Sequence, residues 1–214
     1  MTGLDGAVPL ADELFLLAHD GVSGKPRLHP RVTGLALAGA LLGELLLLRW
    51  LEIEAGVVLP AVDTPSGDSL LHRVLAPIRA ARPARPIRPW LDTLAGPALY
   101  GVPDRMAAAG MLVAQRSRGR ARATLWVPTD ISIAAWPPAR LRLHLLKGEP
   151  MVLPDVLLAC LALACGLDQQ VLWDIPPRAW LYLDHLRSTL PGPFRDLLAE
   201  TELAIGNASL TRRV

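Results

Sequence analysis

The sequence predicts a mainly α fold: a compact helical domain with two small β-hairpins. Three observations lead there. Half of the 214 residues are hydrophobic (51%) but only 5% are aromatic, so Leu, Ala and Val carry the apolar mass, a balance that favours helix over sheet. In most long segments the apolar residues recur every three or four positions, the period of a helix. Twice, a short run of strand-forming residues meets a Gly turn and a second such run, the pattern of a hairpin.

The elements follow in order. Residues 11–18 start with Asp12 and Glu13 and then turn apolar, a short amphipathic helix whose acids suit its first turn. Residues 19–31 are a polar loop with Gly21, Gly24, Pro26 and Pro30. Residues 35–49 are apolar on nearly every side, as the most buried helix of a domain is. Gly39 and Gly43, four apart on it, predict close packing against a neighbour. Glu44 on the same helix must be exposed at its end or hydrogen-bonded inside, because an unpaired buried carboxylate is too costly. Residues 51–54 and 57–59, joined by Ala55-Gly56, form the first hairpin, with Glu52 and Glu54 on its wet face. Ser66 to Asp68 can start the next helix, which carries Leu70, Leu71, Val74, Leu75 and Ile78, with Pro77 inside it.

Residues 82–89 read RPARPIRP. Proline every third residue favours polyproline II, which would set Arg82, Arg85 and Arg88 along one edge. A short helical turn over 90–95 and a helix over 103–110 follow, the latter closing on Gly110. Residues 111–127 form the second hairpin, turning at Arg118-Gly119. Further helices are expected over 138–146, 154–165, 178–186 and 193–205, several with Pro near the start. No linker divides the chain, so residues 1–214 read as one domain.

Net charge is only +2 but is unevenly placed. Between His72 and Arg122 stand ten Arg and two acids, Asp92 and Asp104. A basic block on a nearly neutral chain suggests one anionic contact face, built from Arg82, Arg85, Arg88, Arg116, Arg118, Arg120 and Arg122. The strong preference for Arg over Lys, with abundant Ala and Pro, fits a GC-rich bacterial genome. Cys160 and Cys165 sit in an apolar run without metal spacing and read as buried free thiols of a reducing cytosol. The first twelve residues lack the basic start of a signal peptide. Residues 32–48 are apolar but short and contain Glu44, so they read as a core helix rather than a membrane span.

Catalytic chemistry is not visible. His19, His29, His72, His144 and His185 form no ligand pair, and no nucleophile elbow or phosphate loop occurs. No cofactor or metal is expected, and the chain reads as non-enzymatic.

Five stretches in order resemble one family. They are LADELFLLAHD (10–20), LALAGALLGELLLLRWLEIE (35–54), GDSLLHRVL (67–75), PWLDTL (89–94) and RMAAAGML (105–112). The second is close to GLxGxxLxELxLxxxLxLE and the third to GDxLLDEAL. Over about 10–198 the chain is similar to the Golgi phosphoprotein 3 family, in an actinobacterial-like form. The resemblance implies a central helical bundle with amphipathic helices around it and a projecting hairpin. It also implies a peripheral membrane adaptor that binds phosphatidylinositol 4-phosphate and the cytosolic tails of membrane proteins, with possible self-association through the 115–126 hairpin. The family's lipid-site positions fall on His29, Ala38, Gly96 and Leu99 here, where its Trp and Arg residues are replaced. The expected phosphoinositide site is therefore degenerate, and general binding to anionic lipid headgroups is expected at the inner face of the membrane of a cytoplasmic protein. The alternative is a nucleic-acid-binding protein in which helix 103–110 and the Arg-rich hairpin act as a winged-helix module.

Overall fold

The computed structural model describes residues 8–61, 67–117, 124–171, 173 and 175–210. Its centre is α2 (Pro30–Leu47), in which every residue from Val32 to Leu46 is buried. Proline at the first position and His29 as N-cap start this helix five residues earlier than its apolar run suggests. α2 is the one described helix long and apolar enough to cross a membrane, yet it is the core of the fold.

Three helices surround it. α1 (Leu10–Leu17), buried along its whole length, runs antiparallel to α2, with Leu10 against Gly43. α4 (Ile87–Ala108) runs parallel to α2, since Asp92 meets Arg31 at its start and Arg105 meets Glu44 near its end. α9 (Gly192–Leu210) is antiparallel, with Leu197 near Gly43 and Thr201 against Gly39. The small residues of α2 permit these approaches. A Cβ on Gly34 would lie 2.5 Å from the Ala95 carbonyl oxygen, and one on Gly39 would lie 2.7 Å from the Thr201 hydroxyl. The close packing expected at Gly39 and Gly43 is therefore present.

The first hairpin pairs β1 (Leu51–Glu54) with β2 (Val57–Pro60), and Glu52 and Glu54 face solvent as expected. α3 (Ser69–Ala80) follows, capped by the Asp68 carboxylate, which accepts from the backbone N–H of Leu70 at 2.7 Å. The second hairpin pairs β4 (Leu112–Arg116) with β5 (Thr124–Pro128). α5 (Ile131–Lys147), α6 (Leu153–Ala164), the short α7 (Asp168–Val171) and α8 (Pro177–Ser188) complete the described elements. Cys160 and Cys165 are free and buried, and burial pushes their thiols up to about 11 and 12.

Several expectations are corrected. Residues 82–89 do not form a polyproline II edge. Arg85 and Pro86 form a third strand, β3 (Arg85–Pro86), antiparallel to β2, and α4 begins at Ile87. Backbone pairing satisfies groups that polyproline II would leave to water. Arg82, Arg85 and Arg88 therefore sit on a turn, a strand and a helix respectively. The pieces expected at 90–95 and 103–110 are one helix that continues through Pro97 and Pro103. Trp90, Leu91, Leu94, Ala98, Val102 and Met106 are all buried, and that packing outweighs the lost donors. Residues 103–108 are thus the last turns of α4 rather than a separate helix. α5 starts seven residues before the expected 138, because Asp130 caps it by accepting from the Ser132 N–H at 2.8 Å. α7 and β3 were not anticipated.

Candidate functional site

Two features stand out once the helices are assembled: a buried ionic network that holds α1, and a basic end of the bundle.

The network begins with adjacent acids on α1. Asp12 and Glu13, expected as simple first-turn charges, are 1% and 4% exposed. Asp12 accepts from Arg105 of α4, at 2.6 Å from Nη2 and 3.0 Å from Nε. The same guanidinium donates to Glu44 of α2 at 2.9 Å and to Asp68, the cap of α3, at 2.7 Å. Glu44 also accepts from the backbone N–H of Ala11 at 2.7 Å, which meets the expectation that it is hydrogen-bonded inside. Glu13 pairs bidentately with Arg140 of α5, at 2.7 Å for both contacts, and Arg140 also donates to Asp155 of α6 at 2.7 Å. One pair of neighbouring acids thus ties α1 to α2, α3, α4, α5 and α6. Sequence reasoning missed Arg105 and Arg140, because their partners lie 15 to 127 residues away and leave no local signal.

Electrostatics follow from this geometry. Three carboxylates share Arg105. Burial pushes the Asp12 carboxyl up to about 7; Arg105 opposes this, while Glu44 and Asp68 add to it. Burial likewise raises Glu44. A carboxyl with a raised folded pKa contributes stability below its ordinary 3.8, and that contribution is lost as pH rises to about 7. His19 acts oppositely: burial lowers its pKa, so its contribution is present above 6.5 and falls away on acidification. Comparing parent with Asp12→Asn isolates the first effect. The parent should gain stability relative to the variant as pH falls from about 7, by at most ~1.4 kcal/mol per pH unit. Urea melts across that range read it, and a flat difference would show that Asp12 takes up no proton there.

The basic end lies where α2 and α4 both begin. Arg31 and Arg88 flank Asp92 at 3.6 and 3.4 Å. The Arg85 guanidinium sits 5.5 Å from the centre of the Trp90 ring. Arg82 donates to the carbonyls of Arg79 and Ala81 at the end of α3, at 2.9 and 2.8 Å. Arg116 is exposed on β4; Arg118, Arg120 and Arg122 lie outside the described residues. The second hairpin flanks this end, because Thr124 and Trp126 line a cleft of about 320 Å3 together with Pro30, Thr33, Leu99 and Tyr100.

A family model described as Golgi phosphoprotein 3 (GPP34) matches residues 10–201. The chain belongs to this family. No curated protein matches the chain. Of the four positions at which the resemblance places a lipid site, Leu99 lines the cleft beside the hairpin. His29, next to the lining residue Pro30, is spent on capping α2, its Nδ1 accepting from the Arg31 N–H at 3.3 Å. Gly96 is exposed, whereas Ala38 is wholly buried in the core. The fold does not bring all four round one pocket.

Proposed function

We propose that the protein is a non-catalytic peripheral adaptor that docks on anionic membrane surfaces through the basic end of its bundle. The observation that carries this reading is the convergence of Arg31, Arg85 and Arg88 where two parallel helices begin. The partial positive charge of two helix N-termini adds to those guanidiniums, and Thr124 and Trp126 of the second hairpin lie near the start of α2. Such a protein works in the cytoplasm at the inner face of the membrane, where it would meet the cytosolic tails of membrane proteins and could self-associate through the 115–126 hairpin. No Arg or Lys is among the described residues lining the cleft beside Leu99, so headgroup selectivity is expected to be weak.

Arg residues at an anionic leaflet contribute about 1 kcal/mol each, and the four of the hairpin together about 4 kcal/mol before screening. That corresponds to roughly millimolar binding, so the Arg85 and Arg88 end must contribute as well. The test is flotation with phosphatidylserine vesicles at low and high salt. The parent should float at low salt and detach as salt rises, because exposed charges are screened within about 8 Å at physiological ionic strength. Arg85→Ser with Arg88→Ser, and separately Arg116, Arg118, Arg120 and Arg122 each changed to Ser, should each lower flotation severalfold. Phosphatidylinositol 4-phosphate vesicles of equal charge should capture no more protein than phosphatidylserine vesicles. Variants that float like the parent at low salt would sink this reading.

A further inference from the structure

The basic end also carries apolar side chains. α5 runs antiparallel to α1, because Arg140 meets Glu13 while Ala134 sits 2.9 Å from where a Cβ on Gly21 would lie. Since α1 is itself antiparallel to α2, the loop between them and the starts of α2, α4 and α5 share one end. Among the described residues there, Val22 is 71% exposed and Ile131 61%. Both line one cleft of about 420 Å3, together with Arg27 and the 58% exposed Trp173.

The loop that carries Val22 is built to hold it outward. The Asp20 carboxylate accepts from Ser23 N–H and Ser23 Oγ, each at 2.8 Å, and from Val22 N–H at 3.3 Å. The Asp20 N–H donates to the Lys25 carbonyl and the Gly24 N–H to the Asp20 carbonyl, both at 2.8 Å. Gly24, at φ 66°, packs so closely on Trp126 of the second hairpin that a Cβ would lie 2.5 Å from its carbonyl oxygen. The loop therefore cannot fold Val22 back without leaving the hairpin. Lys25, Arg27 and Arg31 are exposed around it. Of the neighbouring carboxylates, Asp20 pairs with Arg27 at 3.5 Å, Asp92 is shared by Arg31 and Arg88, and Asp130 caps α5.

We propose that Val22 and Ile131 form an apolar wedge that enters the headgroup region of an anionic bilayer when the basic end docks, giving attachment a salt-resistant part. The proposal rests on the membrane-docking reading above. Exposed apolar groups ringed by cations match an anionic interface, where hydrocarbon lies just beneath negative charge. A second copy of the chain fits less well, since a two-fold contact would set these cations against one another. Each of the two side chains moved out of water contributes about tenfold to partitioning.

The test places an environment-sensitive nitrobenzoxadiazole label on Val22→Cys and, separately, on Leu181→Cys. Leu181 is 70% exposed on α8, whose Tyr182 hydroxyl donates to the Glu149 carbonyl at the opposite end of α5. Cys160 and Cys165 are buried and do not compete for label. With vesicles containing phosphatidylserine, the label at 22 should shift to the blue and brighten, and the label at 181 should not. Val22→Ser with Ile131→Ser should still float at low salt but partition about a hundredfold less at moderate salt. If the protein floats while the label at 22 stays in water, the wedge is refuted and the docking reading stands. If the protein floats at no salt concentration, both fail. A blue shift that needs no vesicles and grows with protein concentration would replace the bilayer with a second copy of the chain.

Discussion

Arg105→Met should destabilise the fold by about 3–5 kcal/mol, the cost of breaking a buried ion pair from one side. Its guanidinium is the shared partner of Asp12, Glu44 and Asp68 at 2.6 to 2.9 Å. Burial works against the charge on Arg105, and Glu44 and Asp12 more than offset it, raising its pKa. Methionine fills the space but leaves the carboxylates without their cation in a site where Asp12 is 1% and Glu44 5% exposed. Such carboxylates respond by taking up protons. The loss should therefore be largest at neutral pH and shrink on acidification. Adding Asp12→Asn and Glu44→Gln should recover much of it, because the two most deeply buried carboxylates are then neutral at similar volume and only the more exposed Asp68 keeps its charge. Chemical denaturation of the three proteins decides the matter. A loss under about 1 kcal/mol at neutral pH would mean that the network stabilises little beyond its own desolvation.

The second large effect belongs to Arg140. Arg140→Met leaves Glu13 and Asp155, 4% and 6% exposed, without their cation. The expected loss is about 3 kcal/mol, at the low end of the same range because Arg140 is closer to solvent, at 19% side-chain exposure. The two variants should differ in what loosens. Arg105 joins α1 to α2, α3 and α4, whereas Arg140 joins α1 to α5 and α6. Amide hydrogen exchange of Arg140→Met should rise in α5 and the first turn of α6 while the α2–α4 contact stays protected. Equal loosening of both halves would show that α1 transmits the loss across the bundle. Neither substitution touches the basic end, so vesicle flotation of folded protein should be unchanged in both.

Much of the fold was legible because its signals are local. The apolar run of α2, the Asp68 cap of α3, the paired strands of the two hairpins and the buried cysteines each follow from residues close to one another in sequence; the expected turn at Arg118-Gly119 lies outside the described residues. Membership of the Golgi phosphoprotein 3 family was legible in the same way, as an ordered set of such stretches within the matched residues 10–201. Two misplaced boundaries involve proline. Residues 103 and 138 read as helix starts, yet Pro103 and Pro138 lie inside α4 and α5, because packing of the buried face compensates for a missing donor. RPARPIRP read as polyproline II because its partner strand, β2, lies more than twenty residues earlier.

The candidate site divides the same way. Sequence by itself determined that a basic block exists between residues 82 and 122 and that Glu44 had to be either exposed or hydrogen-bonded. Only the tertiary structure decided that Arg31 joins Arg85 and Arg88, that Val22 and Ile131 stand at the same end, and that Asp12 and Glu13 are buried clamps rather than surface charges. The physical reason is range. Helical period, caps and turns act over a few residues, whereas ion pairs and shared faces depend on which helices run parallel, and here that is set by close packing around Gly34, Gly39 and Gly43.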